Sequence, residues 1–225
     1  MSEFNESGPD SNHDHDHETS TDTDPDGWQF IESVTEYETG WYTGGYDRFK
    51  QPDGTEKQYY WATLPPAVVV VARDGDELVM VEQFRPPIRR LCLELPAGIV
   101  DADDLPAAPD NIDRSDTPGG LAATADVPPA AYEAAGAREL REETGHDPNE
   151  IIFLDDFWVA TGVLTHRRGH VFASDLDPTD RKLDTNEFIT VRRVPVSEAL
   201  EQARTPPSND ATIEGLLLAE HEGLL

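Results

Sequence analysis

The sequence predicts an α+β chain, with a small β-rich N-terminal subdomain at residues 27–64 and a larger domain of strands and helices at residues 65–225. Three observations predict it. Between Trp28 and Leu64, aromatic and β-branched stretches alternate with turn residues and no helical period appears. Short apolar strands continue to Leu95. From Pro128 onward, segments with apolar residues at helical spacing are interleaved with further β-rich runs.

Residues 1–26 are rich in Asp, Glu, Ser, Thr and His and nearly devoid of large apolar side chains, so a disordered acidic tail is expected. Within it His13, His15 and His17 alternate with Asp14 and Asp16, which in such a composition reads as solvation rather than metal binding. Gln29–Val34, Gly40–Tyr46 and Gln58–Thr63 are expected strands, separated by turns such as Pro52-Asp53-Gly54. Ala67–Ala72 and Glu77–Gln83 flank Asp74-Gly75-Asp76 as a hairpin, and Leu91–Leu95 is another strand. Residues 102–127 lose all periodicity, and Asp, Ala, Pro and Gly dominate; a long irregular insertion is expected there. Asp126 is then expected to cap a helix that begins near Pro128, runs through Ala134, Ala137, Leu140 and Arg141, and stops at Gly145. Ile151–Trp158, His170–Ser174 and Phe188–Val194 read as strands. Ser197 starts a helix through Ala203, and Asn209 or Asp210 starts the last one.

Composition narrows the function. Seventeen Lys and Arg stand against 46 Asp and Glu, a formal charge of −29. Such a chain has no surplus cations for a phosphate backbone or an anionic bilayer, so neither nucleic acid nor membrane is an expected partner. The tail holds nine acids and no base, so the other 199 residues still carry −20. Lysine occurs only at Lys50, Lys57 and Lys182. An acidic, lysine-poor surface of this kind resembles proteins of salt-loving microbes, because a Debye length of ~3 Å at ~1 M salt screens self-repulsion that ~10 Å at ~0.1 M leaves in force. The single cysteine, Cys92, excludes an internal disulfide framework and a cysteine-built zinc site, and a reducing cytoplasm is expected. Its apolar strand makes it a small core residue.

The sharpest feature is the run Arg138-Glu139-Leu140-Arg141-Glu142-Glu143-Thr144-Gly145. On a helix, Glu139 shares a face with Glu142 and Glu143, with Cβ atoms about 5–6 Å apart. Like charges at that spacing oppose helix formation, and a divalent cation between them removes the conflict. Oxygen donors alone favour Mg²⁺, Mn²⁺ or Ca²⁺. Arg138 precedes Glu142 by four residues and can hold that carboxylate.

This run, with Gly98 upstream in Leu95-Pro96-Ala97-Gly98, resembles the box of the Nudix hydrolases; Val81–Asp101 resembles that family's ADP-ribose pyrophosphatase branch. The loop at Asn186-Glu187-Phe188, the helix start at Asp210 to Thr212 and the aromatic N-terminal region are similar to that branch as well. The resemblance implies an α/β/α sandwich with a mixed sheet, a homodimer, and Mg²⁺- or Mn²⁺-dependent cleavage of a nucleoside diphosphate linked to another moiety. ADP-ribose, cleaved to AMP and ribose 5-phosphate, is the leading substrate. Another nucleotide sugar or a dinucleotide is the alternative, and a non-catalytic nucleotide-sugar sensor a distant third. By the same resemblance the metal ligands are the Ala97 carbonyl, Glu139 and Glu143, with Glu142 sharing the task. Glu187 aligns or deprotonates the attacking water, Arg85 contacts the diphosphate, Glu94 is a neighbouring acid, and Trp41 and Trp61 sandwich the base, one from each subunit. Gly98, Arg138 and Gly145 are the structural positions of the box.

The chain departs from the family pattern first in the spacing of its box. The family has a short fixed spacing from the box glycine to its arginine and an acid eight residues before that arginine. Here Gly98 and Arg138 are 40 apart, about 26 residues are extra, and the acid position counted back from Arg138 is Ala130. Asp101, Asp103 and Asp104 are the substitutes at hand. In Thr161–Arg168, His166, Arg167 and Arg168 are conspicuous in so acidic a chain; pairing with surface carboxylates is expected ahead of phosphate or ribose contact. His146 reads as structural, and Trp28, Tyr59 and Tyr60 as core or interface aromatics.

Overall fold

The computed structural model describes residues 26–106, 118–183 and 188–225. Residues 1–25 of the acidic tail with its three histidines, the middle of the insertion, and Glu187 lie outside the described residues. In chain order the strands are β1 (Gln29–Glu38), β2 (Thr43–Lys50), β3 (Glu56–Thr63), β4 (Ala67–Asp74), β5 (Glu77–Arg85), β6 (Arg90–Glu94) and β7 (Ala97–Ile99). The helix α1 (Pro129–Thr144) follows, then β8 (His146–Trp158), β9 (Leu164–Thr165), β10 (Arg167–Pro178), β11 (Ile189–Pro195), α2 (Val196–Ala203) and α3 (Asp210–His221).

Two sheets result. The smaller has the order β1-β2-β3-β9, antiparallel except for the β3–β9 pair. The larger has the order β11-β5-β4-β10-β8, with β6 on β5 and β7 on β4; β4 and β10 run parallel, so the sheet is mixed. β4 explains the sandwich. Val68, Val70 and Ala72 belong to a core shared with Ala131, Tyr132, Ala135 and Leu140 of α1. Their neighbours Val69 and Val71 belong to a second core, with Ala199 and Ala203 of α2 and Leu216 and Ala219 of α3. Successive side chains of a strand point to opposite faces, so a run apolar at every position is what a strand covered on both sides requires.

The helix ends where expected: Gly145 takes a left-handed conformation (φ 74°) and donates its N–H to the Arg141 carbonyl at 2.9 Å. Its start differs from expectation. The cap position is Pro128, with Pro129 opening the helix and no side-chain cap. Asp126 is instead fully exposed, 3.6 Å from Arg167. A proline at the first helical position has its φ already set for the helix and removes one of the N–H groups that the first turn leaves without an intrahelical partner. Residues 39–42 form a turn rather than part of a strand, held by the Thr39 hydroxyl, which accepts from the N–H groups of Trp41 and Tyr42. β7 was not anticipated; a three-residue strand is too short to show a period.

The described ends of the insertion carry only short 3-10 turns, at Ala102–Asp104 and Pro118–Gly120, yet they belong to the core. Leu105, Leu121, Ala123, Ala125 and Val127 are all buried, four of them in the cluster beneath α1. Burying a leucine stabilises by roughly 1.5–3 kcal/mol, so Leu105 and Leu121 anchor the two ends firmly. Cys92 is buried, as its strand suggests.

Candidate active site

Helix α1 presents its glutamates to the turn between β6 and β7. Glu139 and Glu143 are nearly fully buried, while Glu142 is partly exposed. The Glu143 carboxylate accepts from the Ala97 backbone N–H at 3.1 Å. Glu139 lies against Gly98 so closely that a Cβ at position 98 would stand 2.0 Å from its carboxyl carbon. A side chain there would expel the carboxylate, so the glycine is a spatial requirement of Glu139.

Arg138 organises this cluster, and all five of its guanidinium N–H groups find acceptors. Nη1 donates to Glu139 at 2.7 Å and to Glu142 at 3.3 Å. Nη2 donates to the Ile99 carbonyl and to Asp104, each at 2.9 Å, and Nε donates to the other Asp104 oxygen at 3.2 Å. Burial opposes its charge, but the bonds it donates to Asp104 and the charge of Glu139 outweigh this and hold its pKa above the usual arginine value. The expected grip of Arg138 on Glu142 is therefore present. Of the three acids at hand to replace the one missing at Ala130, Asp104 makes the two-oxygen contact, Asp101 approaches Nη2 at 3.4 Å, and Ala130 itself is exposed.

Buried carboxylates offer the oxygen donors that suit a hard divalent cation. In this conformation they are drawn instead onto Arg138 and the Ala97 N–H, and among the described residues no group of three or more His, Cys, Asp or Glu side chains converges on a cation position.

The second cluster begins three residues before Ala97, within ~10 Å along an extended chain. Glu94 is almost fully buried and receives Arg85 through Nε (2.9 Å) and Nη2 (2.6 Å). Gln83 Nε2 adds a bond at 3.1 Å and Asn209 Nδ2 one at 2.7 Å. Arg85 and Glu94, singled out from sequence, are thus brought together. Gln83 and Asn209 were missed. Asn209 gave a signal only as a helix cap, which it is: its Oδ1 accepts from the Thr212 N–H at 2.8 Å, and its amide is free to reach Glu94.

The aromatic residues divide. Trp61 lines an open cleft of about 510 Å³ with Trp28, Phe49, Tyr59 and residues 161–165, and its Nε1 donates to Asp47 at 2.8 Å. Trp28 meets Phe49 and Tyr59 edge-on. Trp41 is 69% exposed on the β1–β2 turn and is not part of that cleft within one chain. The two arginines of the basic segment pair with carboxylates, as anticipated, whereas His166 does not. Arg167 contacts Asp156 and stacks on Trp158, and Arg168 lies 3.3 Å from Asp210 and 3.2 Å from Glu214. His166 bonds the Pro65 carbonyl at 2.9 Å. His146 bridges Thr144 and Arg193 at 3.0 Å each, a structural role.

Residues 113–215 match the model of the NUDIX domain. The chain is 28% identical over 164 residues to an ADP-ribose pyrophosphatase of Bacillus subtilis (strain 168), covering 71% of this chain and 74% of that protein. It is 28% identical over 154 residues to the putative nudix hydrolase 2 of Caenorhabditis elegans, covering 65% of this chain and 57% of that protein. A crystal structure of an ADP compounds hydrolase superposes with a TM-score of 0.68, covering 88% of this chain and 97% of that one at 20% identity, which is a likeness of fold. No helix among the described residues is long and apolar enough to cross a membrane. The mixed sheet with helices on both faces is that of the Nudix fold, and the stretch that matches the NUDIX domain contains the glutamate-bearing α1.

Proposed function

We propose that the protein hydrolyses a nucleoside diphosphate linked to another moiety, with ADP-ribose as the leading substrate and AMP and ribose 5-phosphate as products. The observation that carries this reading is the placement of the buried carboxylates of Glu139 and Glu143 against Gly98 and the Ala97 N–H. The relatedness to an ADP-ribose pyrophosphatase supports the choice of substrate.

Glu139, Glu143 and the Ala97 carbonyl would hold Mg²⁺ or Mn²⁺, with Glu142 beside them; when bound, the cation neutralises phosphate charge and lowers the pKa of attacking water. Arg85 offers a planar fork to phosphate oxygens, and its present partner Glu94 holds it in orientation until substrate arrives. Water attacks one phosphorus, the bridging P–O bond breaks, and the leaving phosphate takes the electron pair. Glu187 accepts the proton of the water. Trp61 gives the base a flat platform in its cleft, and Trp41 of a second copy supplies the other face, which makes the working unit a homodimer. The charge balance and lone thiol fit a cytoplasmic enzyme.

The test is a hydrolysis screen of ADP-ribose, other nucleotide sugars and dinucleotides at molar salt with Mg²⁺. Turnover should vanish in chelator and in Glu139→Gln and Glu143→Gln variants whose circular dichroism is unchanged. Turnover by either variant without metal would overturn the assignment.

A further inference from the structure

Among the described residues, Asp47 is the only charged side chain that lines the cleft of Trp61. The walls around it are aromatic or aliphatic: Trp28, Phe49, Tyr59 and Leu164. One oxygen of the carboxylate, Oδ1, accepts twice, from the Trp61 Nε1–H at 2.8 Å and from the Ser33 hydroxyl at 2.7 Å. Among the described residues nothing donates to Oδ2 and no cation pairs with Asp47. The neighbouring Arg48 is committed to Glu32 and Glu56 instead.

Strand alternation builds this arrangement. Ser33 of β1, Asp47 of β2 and Tyr59 of β3 are cross-strand partners, so their side chains share one face of the small sheet. Trp61 lies two residues beyond Tyr59 on that same face, whereas Arg48 points to the other. The indole N–H lies in the plane of its ring, so Asp47 sits at the edge of Trp61 and leaves the flat face open. A planar base stacked on that face brings its rim, with its amino or oxo substituent, level with the carboxylate. An ionised carboxylate only accepts hydrogen bonds. It holds a rim N–H and sets its charge against the lone pairs of a rim carbonyl.

We infer that Asp47 is a specificity-determining residue: its open oxygen takes the exocyclic amino group of the base, as at the 6-position of adenine, and disfavours a purine with an oxo group there. This rests on the reading of Trp61 as the platform for the base.

The test uses three ligands: ADP-ribose, the same molecule with hypoxanthine in place of adenine, and ADP-ribose lacking the 2′-hydroxyl of its adenosine. Each is titrated by calorimetry into the full chain at molar salt in chelator, where the proposed hydrolysis does not run. The wild type should bind the adenine compound about 10–100-fold more tightly than the hypoxanthine one, the span that a hydrogen bond to a charged group gives. Loss of the 2′-hydroxyl should change little. Asp47→Asn should reverse the preference rather than abolish binding. Its single oxygen is claimed by Trp61 and Ser33, so its amide N–H groups face the cleft and favour the oxo group. A wild type indifferent to the base overturns the inference; if its affinity falls instead with the 2′-hydroxyl, the carboxylate reads the sugar. An Asp47→Asn variant that weakens both bases alike shows a structural role only and overturns it too. Trp61→Ala tests the platform separately: undiminished affinity there removes the base from this cleft, whatever the ratio between the two bases.

Discussion

The carboxylate of Glu139 occupies the volume that a side chain at Gly98 would need: its carboxyl carbon and Oε1 are each 2.0 Å from where a Cβ would stand. The obstructing atoms are the far end of a flexible side chain, so a substitution is relieved by moving Glu139 rather than the backbone. Gly98→Ala should therefore keep the fold, losing no more than the ~1–3 kcal/mol typical of overpacking, while Mn²⁺ affinity falls at least about tenfold and turnover drops further. Thermal melting and metal titration on the same sample check this. A variant with wild-type turnover would show that Glu139 need not sit where it does.

Glu187 is the proposed base. Glu187→Gln should lower kcat by roughly 10²–10⁴-fold with metal affinity near wild type. Arg85→Ala should act differently, raising KM chiefly, because a charged hydrogen bond to phosphate contributes about 1.5–3 kcal/mol. Steady-state kinetics on both variants separates the roles. A kcat unchanged in Glu187→Gln moves the search to Glu142.

His170 of β10 is fully buried between β4, β8 and α3, with no partner for Nδ1, while Nε2 lies 3.4 Å from the Ala211 carbonyl and 3.9 Å from the Glu214 carboxylate. Burial is the chief cause that pushes its pKa down to about 4, with the nearby charge of Arg168 helping and the Ala211 carbonyl opposing. A histidine neutral in the fold and protonated when unfolded stabilises fully above the unfolded pKa of about 6.5, and that contribution is lost as pH falls toward 4. The loss amounts to about 3 kcal/mol. Denaturant melts from pH 7 to 4 should show this slope in the wild type and a shallower one in His170→Gln. Equal slopes would mean that another group governs the acid limb.

The surface charge sets a salt requirement. With −20 outside the tail, the melting temperature should rise between ~0.1 M and ~2 M KCl. An unchanged value would contradict the screening argument. Deleting residues 1–26 should leave turnover unaltered, since no residue proposed for the site lies in that segment.

What the sequence determined by itself are the features written in local order. The apolar run of β4, the spacing of glutamates on α1, the left-handed stop at Gly145 and the cap at Asn209 all follow from periodicity or from the conformational preferences of single residues. The family likeness was legible for the same reason: the glutamate run survives as an uninterrupted helix. Tertiary structure decided which distant groups meet. Three acids followed Gly98, and only the return of the backbone through the buried Leu105 showed that Asp104 covers Arg138. Likewise, Arg167 and Arg168 carried no mark of whether they faced phosphate or carboxylate until Asp156, Asp210 and Glu214 were brought beside them. A helix or a turn is fixed by neighbours a few residues away, whereas an ion pair across 34 residues depends on the path of all the chain between, and that path is set by core packing rather than by the charges themselves.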